Sequence, residues 1–404
     1  MIAACGRKVK TPAPVTITSI LVAVMSNRKP SAPAKPITVA IDASFLSLPA
    51  SGIGSYVSGL TTALIRQQDD LGLDIRLITP KPGRILHPGH KLHRFLWDSF
   101  GITPATLRQV GKPDVLHLPQ MSAPIITPAP MVVTIHDVIP LVLEDYRASR
   151  AMRTYLDLMK RTSARARLII APSQAARTDI AKVMGIDLER IVAIPEAADP
   201  TLAPDTTGEA ASIVAEKWGL TGPYLFNIGG YDRRKNLPLT IAAFAGALPG
   251  LPEDAKLVIG GAPHSENEHI FPPLAPVIRQ YGLDDRVILI GRISDADRRA
   301  LYQAATVYIT ASEYEGFGLT PLEAMACGVP AIVANRTSLP EVVGDAGLVV
   351  EPTVDDLAAA MVTLLTDTNL HTDLARRSLE RAGEFTWYAA AIATAEVYHR
   401  ASRM

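Results

Sequence analysis

The sequence predicts an α/β protein made of two successive domains of similar size, each with helices between the strands of a sheet. Two observations lead to this prediction. Runs of β-branched and apolar residues alternate with segments of helical periodicity through most of the 404 residues, as in α/β folds. The alternation lapses between Asp199 and Thr221 and then begins again. We therefore expect a domain over residues 37–200, a linker over 201–221, a second domain over 222–385 and a final helix over 386–404.

Charge separates the two predicted domains. Of the 40 Lys+Arg and 40 Asp+Glu, residues 1–200 hold 24 and 15, which leaves 16 and 25 for residues 201–404; the balances are +9 and −9. Opposite balances are typical of domains with different partners, although a drift in surface charge would give the same numbers. The two cysteines, Cys5 and Cys327, lack metal-ligand spacing and indicate a reducing, cytoplasmic setting. We expect no nucleic-acid partner.

Residues 1–36 fit neither domain. The apolar run over residues 17–25 follows three basic residues and faintly resembles a signal peptide. It is too short to span a bilayer, and prolines follow it in place of a clear cleavage site. Met25 is itself a candidate start. We expect residues 1–36 to be a disordered or wrongly assigned leader.

Six strands are predicted in the first domain, at residues 35–42, 74–79, 114–118, 131–137, 167–173 and 191–195. The first of them leads to Gly52-Ile53-Gly54 and then to a helix that ends near Arg66, the first unit of a Rossmann-like domain. The glycines are not a dinucleotide fingerprint, because Val57 stands where a third glycine is required. Gly52 and Gly54 therefore form either a phosphate-binding loop or a simple tight turn.

One strand of this domain ends in a pair of polar residues, His136 and Asp137. Open parallel sheets bind their ligands outside the carboxyl ends of the strands. This position favours a functional role for His136 over that of a hydrogen-bonded core histidine.

A basic stretch between the second and third strands runs into Phe95-Leu96-Trp97. Basic residues beside exposed aromatic residues suit an anionic membrane surface, and a solvated loop is the alternative. The basic residues are Lys81, Arg84, His87, His90, Lys91, His93 and Arg94.

Six more strands are predicted in the second domain, at residues 224–229, 256–260, 286–291, 306–310, 331–333 and 348–350. One of the helices between them opens with Asp295-x-Asp297, a pair of carboxylates that can hold a divalent metal. Its place at the start of an amphipathic helix favours an N-cap instead, so we expect no metal site. Ser338 and Glu341 have the spacing of a capping box at the start of another helix.

The most informative stretch follows the fourth strand of this domain. Gly316-Phe317-Gly318 is a loop with little side chain, so its N–H groups can approach a ligand closely. Thr320 is a candidate N-cap and Glu323 its candidate capping-box partner, and the N-terminus of their helix favours an anion. Glu315 precedes the loop. An acid beside an anion site suggests a ligand that carries hydroxyl groups as well as phosphate, such as a sugar nucleotide.

A second motif, Gly229-Gly230-Tyr231-Asp232-Arg233-Arg234-Lys235-Asn236, directly follows the first strand of this domain. Three cations in a row at the carboxyl end of a strand can neutralise a diphosphate, although a charge run is also typical of a solvated surface. Because these cations, Glu315 and Glu323 all follow strands of one sheet, we expect them at the same sheet edge.

Together these motifs resemble those of the family 4 glycosyltransferases, retaining enzymes with the two-domain GT-B fold. The resemblance covers nearly the whole chain from about residue 37, and the pair Glu315 and Glu323 around Gly-Phe-Gly is its most specific part. Within the family the sequence looks closest to bacterial mannosyltransferases of polysaccharide assembly, whose cationic motif also reads Arg-Lys-Asn. The matching motifs are Gly52-Ile53-Gly54, Thr134-Ile135-His136-Asp137, Ala171-Pro172-Ser173, Gly229 to Asn236, Gly291-Arg292-Ile293, Glu313 to Pro330 and Leu339 to Gly344.

The resemblance implies a role for each matching residue. It implies that Lys235 and Arg234 bind the donor's diphosphate, and that Glu323 accepts hydrogen bonds from the ribose hydroxyls. Glu315 would hold hydroxyls of the transferred sugar, and His136 would lie near its 6-hydroxyl and the reacting centre. The other donor-binding residues that it implies are Gly52, Gly54, Gly230, Gly291, Arg292, Ile293, Gly316, Phe317, Gly318 and Leu319. Many members carry an arginine where Gly230 stands, so one cation is absent here or is supplied by Arg233 or Arg234.

The resemblance also implies an activity. We expect a hexosyltransferase that moves a sugar, with mannose from GDP-mannose as the preferred choice, to a saccharide or lipid-linked saccharide in the synthesis of cell-surface polysaccharide such as lipopolysaccharide. No metal or other cofactor is expected. The alternatives are a UDP- or dTDP-sugar donor and a sugar-nucleotide-binding subunit without catalysis. We expect the protein in the cytoplasm, with the inner face of the plasma membrane as a candidate surface, and a C-terminal helix that crosses back to the first domain.

Overall fold

Two parallel six-stranded sheets form the centre of the molecule. The structure is a computed structural model that describes residues 35–47, 52–80, 91–147, 149–263 and 266–404. The first sheet contains β1 (Ile37–Asp42), β2 (Leu73–Ile78), β3 (Val115–Leu118), β4 (Met131–Thr134), β5 (Leu168–Ala171) and β6 (Ile191–Ala193). The second contains β7 (Tyr224–Ile228), β8 (Lys256–Gly260), β9 (Val287–Gly291), β10 (Val307–Thr310), β11 (Ala331–Ala334) and β12 (Leu348–Val350). Every predicted strand is found.

Helices connect the strands of each sheet. Those of the first half are α1 (Gly52–Gln67), α2 (Lys91–Leu96), α3 (Ile102–Gln109), α4 (Ile139–Val142), α5 (Arg150–Ser163) and α6 (Gln174–Met184), with a π-helical segment (Trp97–Gly101) between α2 and α3. Those that follow are α7 (Glu209–Trp218), α8 (Leu237–Ala247), α9 (Ala275–Gln280), α10 (Asp295–Ala304), α11 (Leu319–Ala326), α12 (Leu339–Val343), α13 (Val354–Thr366), α14 (Thr368–Gly383) and α15 (Trp387–Arg403). The prediction of an α/β fold is confirmed.

Helices on both faces explain why the strands are so apolar. All residues of β3, β4, β5, β10 and β11 are buried, as in parallel sheets that are covered on both sides. Each sheet therefore has two apolar layers. These layers provide the rigid base from which the loops at the sheet edges project.

The last helix, α15, packs against the first domain rather than the second. Most of its alanines and Tyr398 belong to the same apolar layer as β1 and α1. The Tyr398 hydroxyl lies 2.7 Å from His117 Nδ1 on β3, and Arg167 donates to the Ala401 carbonyl at 2.9 Å. The end of the chain therefore ties the two halves of the molecule together.

The order of the strands decides where a ligand can bind. The first sheet runs β2-β1-β3-β4-β5-β6 and the second runs β12-β11-β10-β7-β8-β9, and all pairings are parallel. The order changes direction between β1 and β3 in one sheet and between β7 and β10 in the other. Crevices at such points, outside the carboxyl ends of the strands, are the usual ligand sites of open α/β sheets.

Two expectations about the first domain need correction. Gly52 and Gly54 lie in the first turn of α1, so they form neither a separate loop nor a tight turn before it. Arg94 is not a free cation for a membrane surface, because its guanidinium lies 4.1 Å from the centre of the Phe45 ring and its Nε is 2.9 Å from Asp98 Oδ1. Burial and the Asp98 carboxylate hold this arginine inside the domain.

Several expectations concern residues outside the described ranges. They are residues 1–34 of the leader expected over residues 1–36, and the basic positions from Lys81 to His90. Within the described ranges, no helix is long and apolar enough to cross a bilayer.

Candidate functional site

The cationic motif occupies the turn that leaves β7. Gly229 has a φ of +152°, a conformation that favours glycine, and a side chain there would meet the aliphatic part of Lys235 at 3.3 Å. Asp232 then accepts a hydrogen bond from the Arg234 N–H at 3.0 Å and starts a short 3-10 turn over Arg233–Lys235. This turn directs two of the three cations toward the end of β10.

Lys235 and Arg234 meet Glu315 at the point where the strand order reverses. Lys235 Nζ lies 2.6 Å from Glu315 Oε1, and Arg234 Nη1 lies 2.7 Å from Glu315 Oε2. Arg234 also donates to the Tyr314 carbonyl at 2.9 Å. Lys235 is buried and Arg234 is half-buried, and Arg234 Nε also lies 3.8 Å from Asp232 Oδ1. The cluster therefore presents two fixed cations, whose contacts with Glu315 an anionic ligand can compete for.

The protonation states follow from this geometry. Burial by itself would raise the pKa of Glu315, but Arg234 and Lys235 outweigh burial and hold that pKa at about 2. Burial lowers the pKa of the Lys235 amine, and Glu315 opposes this effect. At neutral pH Glu315 is thus ionised and serves as the counter-ion of both cations.

The Gly-Phe-Gly loop lies between the two domains. A Cβ on Gly316 would fall 2.0 Å from the His136 carbonyl oxygen, so only glycine permits this approach. Ser173 Oγ, in the first domain, donates to the Gly316 carbonyl at 2.7 Å. Phe317 is buried against Phe385, with ring centres 5.8 Å apart. The carboxyl edges of the two sheets therefore face each other across this loop.

Both predicted capping boxes beside this loop are wrong. Helix α11 begins at Leu319 after Gly318, whose φ of +116° favours glycine, and Thr320 is not its cap. Ser338 donates its hydroxyl to the Glu315 carbonyl at 3.0 Å and caps nothing. Glu341 instead accepts the N–H of Gln174 at 2.9 Å, so it caps helix α6 of the opposite domain. Ser338 and Glu341 thus each bind a group that is distant in the sequence, and neither caps α12.

Glu323 lies on α11 and turns toward α10. Its Oε1 accepts from Arg298 Nη1 at 2.5 Å and its Oε2 accepts from the Tyr302 hydroxyl at 2.9 Å. Burial raises the pKa of Glu323, and Arg298 opposes this effect. The structure gives no contact between Glu323 and the Lys235 cluster, so the predicted residues form two groups at one sheet edge.

His136 contributes from the first domain. Its Nδ1 lies 2.7 Å from Glu196 Oε1 and its Nε2 lies 3.0 Å from the Pro119 carbonyl. Burial opposes the charged form, but Glu196 and the carbonyl outweigh burial and raise the pKa of His136 above its ordinary value. The Tyr56 ring packs edge-on against the imidazole at 4.8 Å. Because both ring nitrogens face acceptors, this geometry favours the imidazolium.

The remaining predicted residues border these groups. Gly291 ends β9, and Arg292 and Ile293 follow it at the same sheet edge, with Arg292 exposed and Ile293 packed against the core. Gly230 is half-buried in the turn after β7. A cavity of about 340 Å³ opens beside this turn. It is lined by Arg233, Asn236, Pro238, Glu268, His269 and Pro272.

The acidic pair Asp295 and Asp297 behaves as helix-start residues. Ser294 is the N-cap of α10 and accepts from the Asp297 N–H at 3.1 Å. The Asp297 carboxylate pairs with Lys217. Within the described ranges, no group of three or more His, Cys, Asp or Glu side chains is arranged to hold a metal ion.

Two partners of the site were not predicted. Glu196 comes three residues after β6, and the rule that singled out His136, a polar residue at the carboxyl edge of the sheet, also applies to it. Arg298 lies in the middle of α10, where a charged residue is ordinarily solvated. No local signal distinguishes it.

Comparison with known sequences identifies the family. The sequence profile described as Glycosyltransferase Family 4 matches residues 51–202, and the profile described as Glycosyl transferases group 1 matches residues 211–381. The chain belongs to glycosyltransferase family 4. The first match covers β2 to β6, and the second covers β7 to β12 with the whole cationic motif and the Gly-Phe-Gly loop of this family 4 member.

Named relatives include bacterial mannosyltransferases. O-antigen chain mannosyltransferase B of Escherichia coli is 30% identical over 261 residues, which are 63% of this chain and 66% of that protein. Serotype-specific mannosyltransferase WbdA of Escherichia coli is 30% identical over 256 residues, which are 62% of this chain and 31% of that protein. The match thus spans less than two thirds of either relative.

Solved structures show the fold. Sucrose-phosphate synthase from Thermosynechococcus elongatus has a TM-score of 0.67 at 21% identity, over 91% of this chain and 99% of that one. HepE of Anabaena in complex with UDP has a TM-score of 0.62 at 18% identity, over 90% and 100%. WaaG, a glycosyltransferase involved in lipopolysaccharide biosynthesis, has a TM-score of 0.63 at 17% identity, over 89% and 99%. The family 4 chain therefore has the GT-B fold.

Proposed function

We propose that this family 4 protein is a retaining, metal-independent glycosyltransferase that uses a nucleotide diphosphate sugar as donor. The observation that carries the proposal is the cluster of Lys235, Arg234 and Glu315 at the switch point of the second sheet. Fixed cations in a site with little water stabilise charge on a leaving group strongly. A departing nucleoside diphosphate is the group that such a pair of cations fits.

Each group at the sheet edge has a part in this proposal. Lys235 and Arg234 bind the diphosphate, and Glu315 exchanges part of its ion pairing for hydroxyls of the transferred sugar. Glu323 accepts hydrogen bonds from the ribose. His136, across the cleft, faces the sugar near its 6-hydroxyl. Gly316 brings the two edges close enough for one substrate to touch both.

The chemical step keeps the anomeric configuration. The bond between the anomeric carbon and the β-phosphate oxygen breaks, and the acceptor hydroxyl oxygen bonds to that carbon on the same face. The acceptor proton passes to the departing phosphate oxygen. Lys235 and Arg234 compensate the charge that develops on the diphosphate, and this is the role that a metal ion has in other nucleotide-sugar enzymes.

We propose GDP-mannose as the donor and a saccharide or lipid-linked saccharide as the acceptor. The support is the mannosyltransferase names of the two Escherichia coli relatives, one of which acts on O-antigen chains. A UDP-sugar donor is the main alternative, because HepE was solved with UDP.

A nucleotide panel tests the donor. We expect GDP to raise the thermal unfolding midpoint more than UDP, dTDP or ADP, because a ligand that binds only the folded state stabilises it by about 2.7 kcal/mol at 100 times its Kd. We also expect release of GDP from GDP-mannose when a mannoside acceptor is added. A larger shift with UDP or dTDP would indicate that the donor is a UDP- or dTDP-sugar instead. A shift without any turnover would favour the non-catalytic alternative.

We also propose that the first domain rests on an anionic membrane surface. Phe100 and Leu107, on one side of the helical segment from Trp97 to Gln109, are 56% and 52% exposed, and Ile126 beside them is 73% exposed. Thr103 on the same side bonds to the Ile126 carbonyl. These apolar side chains belong to the half of the chain with a balance of +9, a combination suited to anionic lipid.

Vesicle flotation tests this surface. We expect the protein to float with phosphatidylglycerol vesicles at low salt, and Phe100→Asp to weaken this binding about tenfold because apolar area and charge attraction both contribute. Leu188→Asp, at another exposed leucine of the first domain (46% exposed), is the matched control and should bind like the wild type. Absence of flotation at low salt would remove the membrane proposal.

A further inference from the structure

The Glu323 carboxylate is held at both of its oxygens. Arg298 Nη1 donates to Oε1 at 2.5 Å and the Tyr302 hydroxyl donates to Oε2 at 2.9 Å. The glutamate is 8% exposed. A carboxylate has about four acceptor positions, so about two remain for a ligand. A vicinal diol, which presents two hydroxyl donors side by side, fits that remainder.

Arg298 has a second set of partners. Its Nη2 lies 3.3 Å from Asp199 Oδ2 and 3.6 Å from Asp295 Oδ1. Asp199 belongs to the segment that connects the two sheets. One guanidinium therefore joins the carboxylate on α11 to the connection between the domains. The contacts of Nη1 and of Nη2 together fix the orientation of the guanidinium, because the donors of arginine are held in one rigid plane.

We infer that Arg298 is a positioning residue for the nucleotide: it holds the Glu323 carboxylate in the orientation in which both ribose hydroxyls can donate to it. The inference rests on the proposed function, in which Glu323 binds the ribose. Arg298 touches neither the ribose nor the reacting atoms. It acts through Glu323.

Arg298 also favours the ionised form of Glu323. Burial raises the pKa of Glu323, and Arg298 is the main group that opposes burial, ahead of Tyr302. A protonated carboxyl would lose acceptor capacity and present a donor to the diol. The ribose would then meet one acceptor fewer. Through Glu323, Arg298 therefore affects the binding of the two ribose hydroxyls and of no other part of the donor.

The competing explanation is that Arg298 only stabilises the fold. Removal of one partner of a buried pair destabilises a protein whatever the pair does, so loss of stability or of activity alone cannot separate the two explanations. A nucleotide without ribose hydroxyls can. If Arg298 only stabilises the fold, its replacement should weaken the binding of GDP and of 2′,3′-dideoxy-GDP equally. If Arg298 positions Glu323, its replacement should weaken the binding of GDP alone.

The experiment measures the Kd of GDP and of 2′,3′-dideoxy-GDP for the full chain by calorimetry. In the wild type, GDP should bind on the order of tenfold more tightly, in line with a hydrogen bond to a charged group. Arg298→Gln should bring the two affinities within about twofold of each other by weakening only GDP. Arg299→Gln is the matched control: Arg299 is exposed on the same helix and donates to Thr201 Oγ1 at 3.0 Å. It should keep the wild-type preference.

The outcomes are distinct. An Arg298→Gln protein that keeps the full preference for GDP, or that loses both nucleotides equally, overturns the inference and leaves the proposed function intact. A wild type that binds neither nucleotide, and neither UDP nor its dideoxy analogue, overturns both. If UDP binds in place of GDP, the same comparison is made with the uridine pair. If Arg298→Gln does not fold, Arg298→Lys, which keeps the charge but not the fork, should show a reduced preference.

Discussion

Replacement of Lys235 by alanine should lower kcat by about 10²- to 10³-fold, the usual cost of removing one fixed donor from a developing negative charge. The lysine is 7% exposed and lies 2.6 Å from Glu315, so water cannot easily take its place. The protein should remain folded, because Arg234 still pairs with the Glu315 carboxylate at 2.7 Å. The loss should therefore appear in turnover and in the thermal shift with nucleotide.

The control for this substitution is Lys217→Ala. Lys217 belongs to the same half of the chain, is 51% exposed and pairs with Asp297, away from the cationic turn. It should leave kcat and the nucleotide shift unchanged. Turnover of Lys235→Ala within a factor of about three of the wild type would contradict the role of the lysine, since a lost oxyanion-type contact costs far more than that.

The second large effect is expected from Gly316→Ala. A Cβ at this position would lie 2.0 Å from the His136 carbonyl oxygen, 2.9 Å from its carbon and 3.1 Å from Asp137 Cβ. Real Cβ atoms do not approach backbone so closely, so the two edges must separate. The atoms that clash belong to different domains. Opening the cleft therefore removes this clash at a lower free-energy cost than repacking the core of either domain.

We expect kcat/KM of Gly316→Ala to fall at least about 100-fold, because a displacement of about 1 Å between reacting groups has a cost of that order. The thermal midpoint should fall modestly, because interdomain hydrogen bonds such as that from Ser173 to the Gly316 carbonyl are lost while both cores stay packed, and small-angle scattering should show a larger radius of gyration. Gly383→Ala is the matched control, since a Cβ there meets nothing within 4 Å. An active Gly316→Ala enzyme with an unchanged radius would mean that the closed cleft is not needed for the reaction.

Contacts across the cleft explain why the separation is costly. Ser173 donates to the Gly316 carbonyl, and Glu341 caps α6 from the opposite domain. Both contacts require the distance between the edges that glycine allows. A methyl group would strain or break them together. The absence of a side chain at Gly316 thus permits both of these interdomain hydrogen bonds.

Local patterns were sufficient for the strands and for most of the helices. Each strand is a short β-branched and apolar run between turn residues, and that pattern reflects burial on both faces of a parallel sheet. The cationic turn and Glu315 were also predicted to share a sheet edge, since the carboxyl ends of parallel strands lie together. The helix caps were predicted less well. Ser338 and Glu341 have the spacing of a capping box, but both bind distant groups instead.

The sequence by itself determined the two α/β halves, the parallel sheets and the residues that face the cleft, because these depend on periodicity and on the ends of strands. Only the tertiary structure decided which charges pair. Glu315 meets cations some eighty residues earlier because β7 and β10 are neighbours, and strand order is not written in any local pattern. Glu196 reaches His136, and Arg298 reaches Glu323, for the same reason: a buried charge takes the partner that the packing brings to it.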